Sequence, residues 1–151
     1  MEVAVKTFEE LQVGELYKLL QLRSDIFVVE QDCVFLDPDD RDQIALHVLG
    51  WEGRELVGYA RIFGPGDYFE QPSIGRVAVR KAFRGRGLGI QIMQVAVNAV
   101  KERFGRVEVT LSAQKYLERF YRDLGFETEG EDYLEDGIPH VRMVLKKESE
   151  H

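Results

Sequence analysis

Ser73-Ile74-Gly75-Arg76-Val77-Ala78-Val79, followed closely by Arg84-Gly85-Arg86-Gly87-Leu88-Gly89, is the stretch on which the fold of this 151-residue chain turns. Ile74, Val77 and Val79 suit a pleated, buried surface, so Ser73–Val79 reads as a strand. A glycine-rich turn follows. Beyond it Leu88, Ile92, Val95, Ala96, Ala99 and Val100 recur at i, i+4, i+7, i+8, i+11 and i+12, the apolar stripe of a helix lying on a sheet. That helix is predicted over Leu88–Phe104, with Gly105 as its stop. Residues 106–111 carry Val107, Val109 and Leu111 and read as the next strand. A strand, a helix and a strand in this order form a parallel crossover, because only a crossover returns the chain in the same direction.

Working outward, Val3-Ala4-Val5 alternates into Lys6 as a short strand, and residues 9–28 place Leu11, Leu16, Leu19, Leu20 and Phe27 at mainly helical spacing. Residues 44–51 and Glu55–Phe63 are β-rich runs joined by Glu52-Gly53-Arg54, a hairpin signal, and Gly64-Pro65-Gly66 ends the second. Residues 114–124 form a helix through Leu117, Phe120, Tyr121 and Leu124, closed by Gly125. Two strands, 126–133 and 140–145, complete the chain, joined by Glu135-Asp136-Gly137 with Pro139 at the entry. The predicted order is β-α-β-β-β-α-β-α-β-β, an α/β fold with a mixed sheet and helices on its faces. No repeat or low-complexity linker marks a boundary, so one domain is expected over residues 1–151.

The chain has 20 Lys plus Arg against 27 Asp plus Glu, a net charge of -7, which argues against binding nucleic acid through its phosphates. Cys33 is the only cysteine, so disulfide frameworks and paired-cysteine zinc or redox sites are excluded, and no H-E-x-x-H or Cys/His cluster offers a metal site. No apolar run reaches the ~20 residues of a membrane span, and the N-terminus lacks the layout of a signal peptide. A cytoplasmic protein with no membrane partner is expected. The charges are segregated: Arg76, Arg80, Lys81, Arg84 and Arg86 fall within eleven positions, while 30–42 and 127–136 are acidic. Solvated faces are the bland reading of such runs. Asp37-Pro38-Asp39-Asp40-Arg41-Asp42 begins like a calcium loop, but Arg41, Asp42 and Val48 stand where that loop needs a ligand, a glycine and a glutamate.

The loop Arg84 to Gly89 carries the chemistry. At the start of a helix the first backbone N–H groups lack intrahelical partners and the helix dipole favours negative charge. Glycines there let the main chain approach a phosphate, and neighbouring arginines add charge-assisted contacts. The G-x-G-x-G spacing is neither a dinucleotide fingerprint nor a Walker loop. A purely structural glycine turn is the alternative.

The R-x-x-G-x-G of Arg84, Gly87 and Gly89, between that strand and that helix, resembles the acetyl-CoA loop of GCN5-related N-acetyltransferases (GNAT). Phe120-Tyr121-Arg122-Asp123-Leu124-Gly125-Phe126 matches a second passage of that family, and the likeness runs over nearly the whole chain. Leu22 to Gln31, Ser112-Ala113-Gln114 and Asp132 to His140 resemble its ElaA-type branch. The resemblance implies a splayed mixed sheet and transfer of acetyl from acetyl-CoA to an amine on a small molecule or a protein. It also implies that the pyrophosphate meets Arg84, Gly85, Arg86, Gly87, Leu88 and Gly89, and that the pantetheine arm pairs along Val77, Ala78 and Val79, with amides near Val77 and Ala78 receiving the oxyanion. Tyr121 becomes the general acid. Its other readings are a hydrogen-bond donor to sulfur or a core-filling tyrosine.

Of three histidines, His151 is terminal and His47 lies mid-strand, as an acceptor-pocket wall or a core residue. His140 follows Pro139, and relatives that acetylate small molecules, glyphosate among them, place a basic histidine at a similar Pro-His. His140 is therefore assigned as base, with structural and substrate-positioning roles as alternatives. The strand before the loop holds Ile74-Gly75-Arg76 where other members often carry a glutamate. Arg76 either orients an anionic acceptor or pairs with a carboxylate. Glu30 and the other acidic residues favour a cationic acceptor, whereas Arg23, Arg61 and Arg76 favour an anionic one. The competing function classes are a CoA-binding or regulatory module without turnover and an anion- or nucleotide-binding interaction protein. Monomer and homodimer both remain open.

Overall fold

In the computed structural model, which describes residues 1–147, the elements follow the chain as β1 (Glu2–Thr7), α1 (Val13–Arg23), β2 (Leu46–Glu52), β3 (Glu55–Phe63), β4 (Ser73–Val79), α2 (Leu88–Phe104), β5 (Val109–Gln114), α3 (Glu118–Asp123), β6 (Glu127–Thr128), β7 (Tyr133–Glu135) and β8 (Ile138–Leu145). His151 lies outside the described residues. The strands form one mixed sheet in the order β1-β2-β3-β4-β5-β8-β6, with β7 also on β8. Helices cover both faces. Ile92, Met93, Ala96 and Val100 of α2 pack with Val48, Ala60 and Ile74 on one face, while Leu19 and Leu22 of α1 pack with Leu49, Tyr59 and Ala78 on the other. No described helix is long and apolar enough to cross a membrane.

Two glycines set how closely α2 approaches. A Cβ at Gly50 would stand 2.9 Å from Ile92 Cδ1, and one at Gly58 would stand 3.0 Å from Ile92 Cγ1. Only hydrogen at these positions leaves room for the helix to seat Ile92 against the sheet.

The expected β3, β4, loop and α2 are found at the predicted boundaries; several other boundaries moved for identifiable reasons. The first helix ends at Arg23 and continues as a π-helical turn, Ser24–Glu30. Residues 106–108 stay out of the sheet, because Gly105 has φ +87° and accepts from Val107 N–H at 3.0 Å. As a result β5 starts later and runs on to Gln114, which still pairs with His140. The strand expected over 126–133 is broken into β6 and β7 around Gly130, whose φ is +81°. Asp136 (φ +52°) and Gly137 (φ +75°) turn β7 into β8 as a two-residue hairpin with both central residues left-handed.

The feature that positions the site is an irregularity in β4. Tyr59 faces Ala78 and Arg61 faces Gly75, so Arg76 and Val77 together oppose Ala60. The extra residue is a β-bulge, with Arg76 in the left-handed region at φ +50°. On its other side β4 meets β5 only at Ser73↔Thr110, whereas β5 stays registered with β8 from Val109 to Gln114. Bent by the bulge on one side and released on the other, β4 diverges from β5 and opens the sheet.

Candidate active site

A cleft of about 490 Å³ occupies that opening. Gly75 to Val79 of β4 form one wall and Leu111, Ser112 and Gln114 of β5 the other. The start of α2 and the loop before it close one end; Glu135, Asp136, Ile138 and His140 of the β7–β8 hairpin close the other. Ile26, Phe27, Glu30 and Gln31, from the π-helical turn and the residue after it, also line it, as do Phe120 and Tyr121 of α3.

At the helix end the local chemistry is that of an anion cradle. Gly87 caps α2 with φ +76° and Gly85 has φ +81°, conformations that other residues adopt rarely. The first intrahelical bond runs from Gln91 N–H to Gly87 O, so the amides of Leu88, Gly89 and Ile90 precede it and have no partner inside the helix. A Cβ at Gly89 would lie 3.3 Å from Phe120 Cζ, which lets α3 sit directly against the first turn of α2. Val77, Ala78, Val79, Arg84, Gly85, Gly87, Leu88 and Gly89 all line the cleft.

Tyr121 lines the same cleft from α3, its ring held edge-on by Phe120 and Phe126 at centroid distances of 5.1 and 6.0 Å. Burial, reinforced by Tyr116, pushes its phenol above the ordinary tyrosine range, so it keeps its proton at neutral pH. His140 is 6% exposed. Its Nδ1 lies 2.7 Å from Ile138 O, which can only accept, so Nδ1 carries the proton; Nε2 stands 3.3 Å from Glu135 Oε2. Tyr133 stacks on the His140 ring and hydrogen-bonds Ser112 across to β5. Tyr121 and His140 thus face one cavity although they sit on elements of different sequence origin.

Four of the assigned residues are engaged within the protein itself. His47 does not line the cleft: it is fully buried, with Nδ1 2.6 Å from Tyr59 Oη and Nε2 2.9 Å from Asp42 O. Glu30 lines the cleft but holds Arg84 in a two-pronged pair at 2.8 and 3.0 Å, at the cofactor-loop end. Arg84 in turn donates to Val79 O at 3.0 Å. Arg86 is not on the cleft wall; its guanidinium sits 5.1 Å over the ring of Phe83, which is. Arg76 lines the cleft while its side chain is bound to Asp37, from Nε to Oδ1 at 3.0 Å and from Nη2 to the main-chain O at 3.2 Å. Of the two readings of Arg76, carboxylate pairing is the one observed.

Asp37 belongs to a larger buried array. Arg23 meets Asp37 at 2.8 Å and Asp42 at 2.7 Å, and Arg61 meets Asp39 at 2.8 Å and Asp42 at 2.9 Å. The stretch that begins like a calcium loop is folded down by arginines instead. Gln31 and Gln114 also gained no role from the sequence. They exchange amide hydrogen bonds at 2.9 and 3.1 Å and tie the end of the π-helical turn to the end of β5. Both fall in passages that resemble the ElaA-type branch, but nothing local predicts that they pair, and 83 positions separate them.

A mixed sheet parted between β4 and β5, with a glycine-capped helix start feeding the gap, defines the class of fold, and family comparison agrees. The description "Acetyltransferase (GNAT) domain" matches residues 38–147, and the chain belongs to that family. It is 45% identical over 137 residues to Protein ElaA of Escherichia coli K12, covering 89% of this chain and 90% of ElaA. The crystal structure of E. coli ElaA superposes with a TM-score of 0.90 at 41% identity, over 96% of this chain and 99% of that one. An acyl-CoA N-acyltransferase from Pseudomonas aeruginosa gives a TM-score of 0.90 at 39% identity, over 95% and 97% of the two chains.

Proposed function

We propose that this protein transfers the acetyl group of acetyl-CoA to a primary amine, on a small molecule or a protein, by direct attack of nitrogen on the thioester. The observation that carries this reading is the continuity of the cleft from the unpaired amides of α2, along β4, to Tyr121 and His140. Kinship with an acyl-CoA N-acyltransferase supports a CoA thioester as donor.

The amides of Leu88 and Gly89 and the loop glycines hold the pyrophosphate, and Arg84 adds charge once it exchanges Glu30 for phosphate. The pantetheine arm lies along Val77 to Val79 as an added strand in the gap β5 leaves open. Main-chain N–H groups at the bulge, near Val77 and Ala78, stabilise the oxyanion. His140 Nε2 takes a proton from the ammonium. Nitrogen attacks the carbonyl carbon and the C–N bond forms; the C–S bond breaks as Tyr121 donates its proton to the departing thiolate. The second nitrogen proton, released as the amide forms, returns through solvent to the Tyr121 phenolate, and His140 gives its proton to bulk water. Glu135 Oε2 lies 3.3 Å from His140 Nε2 and faces the same end of the cleft.

Calorimetric titration with acetyl-CoA, with ATP and NAD as controls, tests the donor site, and thiol release across a panel of amines tests turnover. Selective micromolar binding with amine-dependent thiol release is expected. Absence of acetyl-CoA binding makes the glycine loop purely structural and removes the reading; binding without turnover of any amine leaves a CoA-binding module.

A further inference from the structure

The cleft opens sideways into a second cavity of about 390 Å³, and the two share Gly75, Arg76, Ser112, Glu135 and Asp136 as common walls. Charge left over after the internal pairs form decides what this cavity attracts. Arg61, on its wall, gives both terminal nitrogens to Asp39 and one also to Asp42. Arg76 is held by Asp37, and Arg23 behind it closes the array with Asp37 and Asp42. Three guanidinium groups meet three carboxylates, so these three arginines offer an incoming anion no uncompensated charge. Glu135 and Asp136 stand apart from this array. The Glu135 side chain is 41% exposed beside His140, and Asp136 is exposed at the hairpin with no ion pair to its carboxylate among the described residues. The junction of the two cavities is therefore negative.

We infer that the second cavity is the acceptor site and that it selects a cationic amine whose remainder bears no anionic group. The inference rests on the acyltransferase reading above. An ammonium moving toward the thioester passes Glu135 and Asp136, which raise its local concentration, whereas a carboxylate or phosphate on the same molecule meets like charge with the wall arginines Arg61 and Arg76 already engaged; Arg41, over the Tyr68 ring at 5.2 Å, is held by Asp67 O rather than by a carboxylate. The aromatic faces around the cavity are similarly occupied: Arg61 covers Phe63 at 4.6 Å and Arg76 covers Phe35 at 5.7 Å.

Matched pairs that differ by one carboxylate test this: histamine with histidine, phenethylamine with phenylalanine, agmatine with arginine. Each is titrated by calorimetry into the CoA-loaded protein and assayed for thiol release with acetyl-CoA. The decarboxylated member is expected to bind and turn over at least about tenfold better. Asp136→Asn, which keeps a residue tolerant of the left-handed turn, should raise KM for the amine several-fold with kcat little changed, and should flatten its rise with ionic strength. Equal or better use of the amino acids, or an unchanged KM in both Asp136→Asn and Glu135→Gln, overturns this inference and leaves the transferase intact. Thiol release with none of these amines, in protein that binds acetyl-CoA, overturns this inference, and the transferase reading falls with it only if the wider amine panel above also fails.

Discussion

Tyr121 illustrates how a residue acquires chemistry from its surroundings. Two flanking aromatic rings and near-complete burial hold its phenol protonated across the neutral range, the state in which it can protonate a thiolate. Tyr121→Phe keeps the packing and removes the proton, so kcat is expected to fall by about 10²-fold with acetyl-CoA affinity nearly unchanged, measured by single-turnover kinetics and calorimetry. Glu30 gives the opposite kind of test. Its carboxylate neutralises Arg84 and adds negative charge beside the place assigned to the pyrophosphate. The pair is partly exposed, so its strength is modest, and Glu30→Gln is expected to tighten acetyl-CoA binding by about twofold to fivefold. Weaker binding in that variant would mean that Glu30 organises Arg84 for the cofactor.

At the scale of elements, the functional unit is β4, its loop and α2. The helix is held by its apolar stripe against the sheet, and its start is held open by glycine at φ +76°. Gly87→Val would meet open space at its Cβ, so the conflict is conformational: a β-branched side chain strongly resists the left-handed region. The loop must then redirect its amides. Acetyl-CoA affinity is expected to fall by at least about tenfold, with the α2 core intact as judged by far-UV circular dichroism. The bulge in β4 is the counterpart of this glycine. It places a non-glycine residue, Arg76, at φ +50°, and Asp37 holds that side chain from a loop 39 positions away.

For the whole molecule, the buried array of Arg23, Arg61, Arg76 and three aspartates fastens the 37–42 stretch to both helix α1 and strand β3, and it makes stability depend on pH. Burial works against the Asp42 charge, but hydrogen bonds and attraction from Arg23 and Arg61 outweigh it and hold its carboxyl below the usual range; Asp39 is held down in the same way, chiefly by Arg61. Carboxyls lowered on folding contribute stability above their unfolded value of about 3.9, and it is lost as pH falls through the folded value. Burial also pushes the His47 imidazole below its usual range. The unfolded chain then binds a proton that the folded chain refuses, so stability begins to decline as pH drops below about 6.5. Urea midpoints measured from pH 8 to pH 3 should therefore fall in two stages, a shallow one below about pH 6.5 and a steeper one below about pH 4. A flat profile down to pH 4 would mean that His47 can be protonated inside the fold.

The strand Ser73–Val79, the glycine turn and the helix Leu88–Phe104 were legible in the sequence because their determinants are local: side-chain period, glycine at positive φ, and a stop at Gly105. Glycine spacing likewise marks the loop, and the family resemblance marks Tyr121. What only the tertiary structure decided is how charges and strand ends are shared between distant segments. Arg76 could be read as an anion receptor or a structural residue until Asp37 was seen beside it, and His47 left the site because Tyr59 and Asp42 satisfy both its nitrogens. The parting of β4 from β5 accompanies a bulge opposite Ala60 and the continuous pairing of β5 with β8, neither of which leaves a periodic trace. Hydrophobic period and backbone preference are properties of neighbours along the chain; ion pairing and sheet divergence are properties of residues that meet only after it has folded.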